Sequence, residues 1–131
     1  MILQRLALRA GIACALLLVP GHARAWEGIA STYGREIFRI NPKGLTANGE
    51  RFQPMGRTAA IWDVPFNTRL RVTHLATGRS IVVRVNDRGP HRRLGRLIDL
   101  STGACRALGA CGLARVRVEV VPSGRRVADA R

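Results

Sequence analysis

Val85-Asn86-Asp87-Arg88-Gly89-Pro90, entered through Ser80-Ile81-Val82-Val83-Arg84 and followed by Arg96-Leu97-Ile98-Asp99-Leu100-Ser101, decides how this chain is read. The first part is a β-branched run, the composition of a buried strand. Side chains two apart share a strand face, so Ile81, Val83, Val85 and Asp87 are expected on one side. With Val83 and Val85 toward a core, Asp87 falls at its mouth, partly desolvated, and Arg88 points to the opposite face. Desolvation raises a carboxyl pKa and nearby arginines lower it. The alternative is that Asp87 opens the Asp-Arg-Gly-Pro turn and bonds backbone amides there; the two roles are compatible.

Outward from this strand the chain reads as mostly β. Arg69 to Leu75 alternates, Ala76-Thr77-Gly78-Arg79 is a turn, and the two runs predict a hairpin. Gly28–Tyr33, Thr58–Ile61 and Leu97–Leu100 are shorter strand candidates, and Ala114–Val121 alternates with Val116, Val118 and Val120 on one face. Ser101–Leu108 reads as one short helix, N-capped by Ser101 and closed by Gly109. Short strands, glycine turns and a single helix predict a small closed barrel.

The ends differ in character. Residues 1–25 carry Arg5 and Arg9, an apolar run from Ala10 to Val19, and Ala23-Arg24-Ala25, the pattern of a secretory signal peptide cleaved before Trp26. That run falls short of the ~20 residues a membrane span requires. Cys14 lies ahead of most of the run, where an acylated lipoprotein cysteine would follow it. The expected product is therefore exported, periplasmic or secreted, with neither a transmembrane nor a lipid anchor. Residues 26–121 form one domain, and 122–131 a polar, disordered tail.

The chain holds 22 basic and 8 acidic residues, a formal charge of +14. Such a field attracts polyanions, but the arginines are scattered rather than clustered. That argues against a specific nucleic-acid groove. Two cysteines remain after residue 25, Cys105 and Cys111, six residues apart across the end of the predicted helix. In an oxidising compartment they form a disulfide or stay as two buried thiols. His74 and His91 lack ligand spacing, so neither a metal nor a cofactor is expected.

Several segments together resemble the rare lipoprotein A family. They are Gly28-Ile29-Ala30-Ser31-Thr32-Tyr33-Gly34, Leu45-Thr46-Ala47-Asn48-Gly49-Glu50-Arg51-Phe52, Thr58-Ala59-Ala60, Val64-Pro65-Phe66, Asn86-Asp87-Arg88-Gly89-Pro90, Ile98-Asp99-Leu100-Ser101 and Leu108-Gly109, in the family's order. The match runs from Gly28 to about Val121. It implies a mainly β fold, a six-stranded double-psi β-barrel with one short helix, related to expansins and barwin. It also implies lytic cleavage of peptidoglycan glycan strands that carry few or no stem peptides. Separately, the domain is expected to act as a monomer.

That chemistry needs a carboxylic acid to protonate the glycosidic oxygen and a base to help the muramic C6 hydroxyl attack C1, leaving a 1,6-anhydro end. One carboxyl can do both in turn. On the resemblance, Asp87 and Glu50 are the catalytic candidates, and Asp99 matches the catalytic or binding aspartate of expansins. Read alone, Glu50 is a solvated residue after an Asn48-Gly49 turn, and Asp99 a carboxylate near a helix start. Tyr33 and Trp62 are candidate sugar platforms, with a place in the core as the equal alternative, and Asn48, Asn86 and Arg88 are candidate substrate contacts. Aromatic residues make up only 5% of the chain, so Phe52 and Phe66 are assigned to the core. One departure stands out: the family's Thr-Ala-Ala-His is Thr58-Ala59-Ala60-Ile61 here. Either Asp87 and Glu50 suffice, or Asp63 or His74 substitutes, or the domain grips glycan without cutting it, as an expansin-like binding module does. The segment between Gly34 and Thr46 is longer than the family's spacer. Its Ile37, Phe38 and Ile40 either form a cleft lip or cover the barrel end.

Overall fold

The computed structural model describes residues 24–123. Of the 1–25 signal-peptide reading, residues 1–23 lie outside the described residues, while Ala25 is the first residue of β1; of the 122–131 tail, residues 124–131 lie outside them. Six strands close into one barrel: β1 (Ala25–Tyr33), β2 (Thr58–Ala60), β3 (Arg69–His74), β4 (Ser80–Asp87), β5 (Ile98–Ser101) and β6 (Ala114–Val120). Their order round the wall is β1-β5-β2-β4-β3-β6. β1 pairs with β5, and β2 with β4, in parallel; the other four pairs are antiparallel. This is the expected six-stranded double-psi β-barrel.

Alternation fills the interior. Leu70 and Val72 of β3, Val83 and Val85 of β4, Ile98 and Leu100 of β5, and Val116 and Val118 of β6 are all buried in one cluster. The arginines between them on β3 and β6 stay exposed. Helix α2 (Thr102–Leu108) closes the cluster with Ala104, Cys105 and Leu108. Ser101 caps it by accepting from the Ala104 amide at 3.2 Å, and Gly109 ends it in the left-handed region (φ 72°). A disulfide joins Cys105 to Cys111.

The expectation of a single helix is corrected. Ile37–Ile40 forms a second helix, α1, of one turn, and Arg92–Leu94 a turn of 3-10 helix. Ile37 and Phe38 pack on a second cluster made of Tyr33, Phe52 and Ala60, whereas Ile40 faces solvent. The long 34–57 segment thus lies over the outer side of the wall. It is held there by the Gly103 amide, which donates to Pro54 O at 2.8 Å. A Cβ on Gly103 would meet the Met55 carbonyl oxygen at 2.1 Å, so the close approach of segment and helix requires glycine here.

Candidate active site

The end of β4 does not keep strict period two. Thr58 pairs with Arg84 and Ala59 with Val85, but Ala60 pairs with Asp87. Asn86 is the extra residue of a β-bulge, and bulges re-aim the side chain that follows them. The expectation that Asp87 shares the face of Val83 and Val85 is therefore corrected. Asp87 lies on the opposite, outer face, with Arg84 and Thr58. A local alternation count does not register a bulge, because the bulge exists only relative to the neighbouring strand.

On that outer face the register assembles one rung across four strands. Asp87 (β4) is level with Ala60 (β2), Ala60 with Asp99 (β5), and Asp99 with Ser31 (β1). Two strand spacings separate the backbones of the two aspartates, about 10 Å. Only the methyl of Ala60 stands between them. Gly89, at φ 145°, passes close by: a Cβ there would lie 3.6 Å from Asp99 Oδ2.

The two carboxyls are held differently. Asp87 Oδ1 accepts the Ala47 amide at 3.0 Å and the Arg88 amide at 2.9 Å, so the turn-bonding role is present. Asp99 Oδ1 accepts the Ser31 hydroxyl. Burial pushes the Asp99 carboxyl above its ordinary pKa. The Asp87 charge adds to this, while the Ser31 hydroxyl and Arg96 oppose it.

Glu50 is held beside Arg84 of β4. Arg84 grips it with two prongs, Nη1–Oε1 at 2.6 Å and Nη2–Oε2 at 2.8 Å, and Asn86 Nδ2 adds a third contact at 3.3 Å. Hydrogen bonding to Arg84 is the main cause that lowers its pKa to about 2. Glu50 is thus a fixed anion at neutral pH and carries no proton to donate. Asn48 shapes the loop that delivers it, its Oδ1 accepting the Thr46 hydroxyl at 2.6 Å and the Glu50 amide at 3.1 Å. Asn86 is buried, and its backbone carbonyl accepts the Asn48 amide at 3.2 Å.

Tyr33 is corrected as an open sugar platform. Its ring is buried and stacked on Phe52 with centroids 4.8 Å apart, because the 34–57 segment folds over it. Its hydroxyl and that of Thr58 are both buried, and neither meets a partner in good hydrogen-bond geometry among the described residues. Burial, with the charges of Asp87 and then Asp99, pushes the Tyr33 pKa well up, against a smaller opposing pull from Thr58. Trp62 is half-buried, its Nε1 donating to Pro90 O at 2.7 Å and one ring face covered by the Arg92 guanidinium at 4.7 Å. Arg88 lies flat on Phe66 at 3.8 Å and donates to Ile61 O at 3.1 Å. Phe66 itself is only partly buried, at the edge of the core, whereas Phe52 is fully inside.

Ile61 is 3% exposed and belongs to the main core, so the family's histidine position is filled here by packing. Neither suggested substitute reaches the rung. His74 sits at the β3–β4 hairpin, at the far end of β4 from Asp87, about 20 Å away along the strand. Asp63 is exposed and pairs with Arg92 at 3.6 Å. Sequence reasoning did not single out Ser31 or Arg84. Arg84 had a legible signal, a lone charge inside a β-branched strand; Ser31 had none beyond its place in the Gly28–Gly34 motif.

Fold and rung define a double-psi β-barrel domain with paired carboxyls on its outer face. The chain belongs to the lytic transglycolase family, whose model matches residues 26–120. It is 56% identical over 100 residues to a Nostoc sp. protein named "Probable endolytic peptidoglycan transglycosylase RlpA", covering 74% of this chain and 26% of that protein. It is 49% identical over 96 residues to a Synechocystis sp. protein of the same name, with 72% and 28% covered. A third relative, "Endolytic peptidoglycan transglycosylase RlpA" of Yersinia pestis, is 45% identical over 100 residues, with 74% and 26% covered. The chain thus spans about a quarter of the length of these curated relatives.

Proposed function

We propose that this domain is an endolytic peptidoglycan lytic transglycosylase, a lyase that cleaves MurNAc–GlcNAc β-1,4 bonds with formation of 1,6-anhydroMurNAc on peptide-poor glycan. The observation that carries this reading is the Asp87–Ala60–Asp99 rung, two half-buried carboxyls on one outer face of the wall, one of them inclined by burial to hold a proton. In the proposed step a proton passes from the Asp99 carboxyl to the glycosidic oxygen, and the C1–O bond breaks with its electron pair on that oxygen. Asp87 faces the positive charge developing at C1. The C6 hydroxyl oxygen then bonds to C1, and its proton returns to the carboxyl pair, which ends as it began. Glu50 serves as an ionised anchor with Arg84, and Asn48 and Asn86 hold it in place.

A peptidoglycan substrate, in keeping with the relatives' names, supports a working location outside the cytoplasm for the mature domain, residues 26–121, acting as a monomer without a cofactor. No helix among the described residues is long and apolar enough to cross a membrane. Ile61 in the core supports a second reading, an expansin-like module that binds glycan without cutting it. Mass spectrometry after incubation of residues 26–131 with peptide-stripped peptidoglycan separates the two. Anhydro-muramic ends made by the wild type and absent with Asp87→Ala establish the lyase. Retained pull-down on the same glycan without cleavage leaves the binding module.

A further inference from the structure

Below the aspartate rung, on the same outer face, lies a cleft of about 500 Å³ between the 50–57 segment, β4 and α2. This is the size of a small-ligand site. Its charge is mostly positive. Arg51, Arg57, Arg69 and Arg84 line it, against the single carboxylate of Glu50. Glu50 is already taken up by Arg84. Arg69 and Arg84 are direct cross-strand partners in the β3–β4 register. Like charges opposed in this way repel, so the wall favours an anion in front of it.

A second, independent feature points to a ligand. Asn86 lines the cleft and is 2% exposed, and its Oδ1 is buried with no hydrogen-bond partner among the described residues. Its Nδ2 is directed at Glu50, which leaves Oδ1 as an acceptor for a donor from outside. A buried polar atom without a partner is costly, and a bound O–H or N–H removes the cost.

We infer that this cleft is a subsite for a carboxylate-bearing N-acetylated sugar, its carboxylate taken by Arg51 and Arg69 and one of its O–H or N–H groups by Asn86 Oδ1. The inference rests on the glycan reading above and deepens it. In a peptidoglycan strand the lactyl carboxylate of muramic acid is either free and charged or tied up in an amide. A guanidinium accepts the first in a two-pronged, charge-assisted bond and gains little from the second. The cleft shares its face with Asp87 and Asp99, so it would read the charge state of a sugar next to the bond being cut.

The test uses N-acetylmuramic acid and its methyl ester as probes, titrated into 15N-labelled protein. A monosaccharide has no bond to cleave, so the readout is independent of turnover. Expected are shifts of the Arg69, Arg84 and Asn86 amides with the acid, and binding about tenfold weaker for the ester and for the Arg51→Gln/Arg69→Gln double variant, whose replaced side chains are solvent-facing. Equal binding of acid and ester, an unaffected double variant, or no shift at tens of millimolar would each overturn the subsite. Any of these results alongside intact anhydro-muramic production would leave the lytic reading standing. Charge-selective binding without cleavage would do the reverse.

Discussion

Glu50 and Arg84 meet through both oxygens and both terminal nitrogens, at 2.6 and 2.8 Å, across 34 residues of chain. This fork converts the outer side of β4 from an arginine-bearing strand into a fixed electrostatic frame beside the aspartate rung. Replacing Arg84 by Met keeps the aliphatic stem and removes the fork. The Glu50 carboxyl should then climb from about 2 toward its ordinary 4.5, followed by NMR titration of its side chain. Because both partners are about a third exposed or more, the stability lost is about 1 kcal/mol or less. The sign follows from a folded pKa below the unfolded one. The contribution is complete above about pH 5 and fades as pH falls toward 2. A Glu50→Gln variant whose deficit in chemical denaturation stays constant through that window would refute the assignment.

Asp99 should behave oppositely. Its folded pKa is raised, so ionising it costs the native state, and stability falls as pH rises from the ordinary aspartate value through the folded one. Asp99→Asn removes that cost while keeping an acceptor for Ser31. The variant should unfold at higher temperature than wild type at neutral pH, with the gap closing in acid, yet lose roughly a hundredfold or more in anhydro-muramic production. A variant that is destabilised at neutral pH, or retains full cleavage, contradicts the role.

Tyr33 offers a cleaner separation of structure from chemistry. Its hydroxyl is buried without a well-placed partner among the described residues, so Tyr33→Phe should leave stability unchanged or slightly improved, the ring still stacking on Phe52. If the hydroxyl orients the proton held by Asp99, the pH–rate profile shifts in this variant. An unchanged profile assigns Tyr33 to packing alone.

The Cys105–Cys111 bridge closes a small loop across the C-terminal end of α2. In the chain-entropy account its removal in a Cys105→Ser/Cys111→Ser variant costs about 2 kcal/mol. Urea denaturation with and without reductant measures this. A wild type insensitive to reductant and a fully stable double variant would show the bridge to be dispensable.

Much of the barrel is legible in the residues alone, because burial imprints itself locally. Leu70 and Val72 alternating with Arg69 and Arg71, and Val116 and Val118 with Arg115 and Arg117, satisfy only a wall with one wet side. Ser101 and Gly109 likewise mark the ends of α2 through requirements of their own residue types. What escapes a reading of the residues is set by partners distant in the chain. The bulge at Asn86 depends on pairing with β2, nearly thirty residues earlier. The burial of Tyr33 depends on where Phe52 and the 34–57 segment come to rest. The fixed ionisation of Glu50 depends on Arg84. The candidate carboxyls are therefore nameable from sequence, but their division of labour is not.

Asn86 acts on β4 as a frameshift acts on a message. Up to Val85 the strand is spelled in alternating inward and outward letters, and the extra residue changes the frame in which Asp87 is read. Straightening the strand with every residue kept would alter no chemical group of the rung, yet it would turn Asp87 inward among the valines, changing a half-buried carboxyl on the outer wall into a charge sealed in hydrocarbon. The outward carboxyl is therefore written by the extra residue together with its partner strand, not by the spelling of β4 alone.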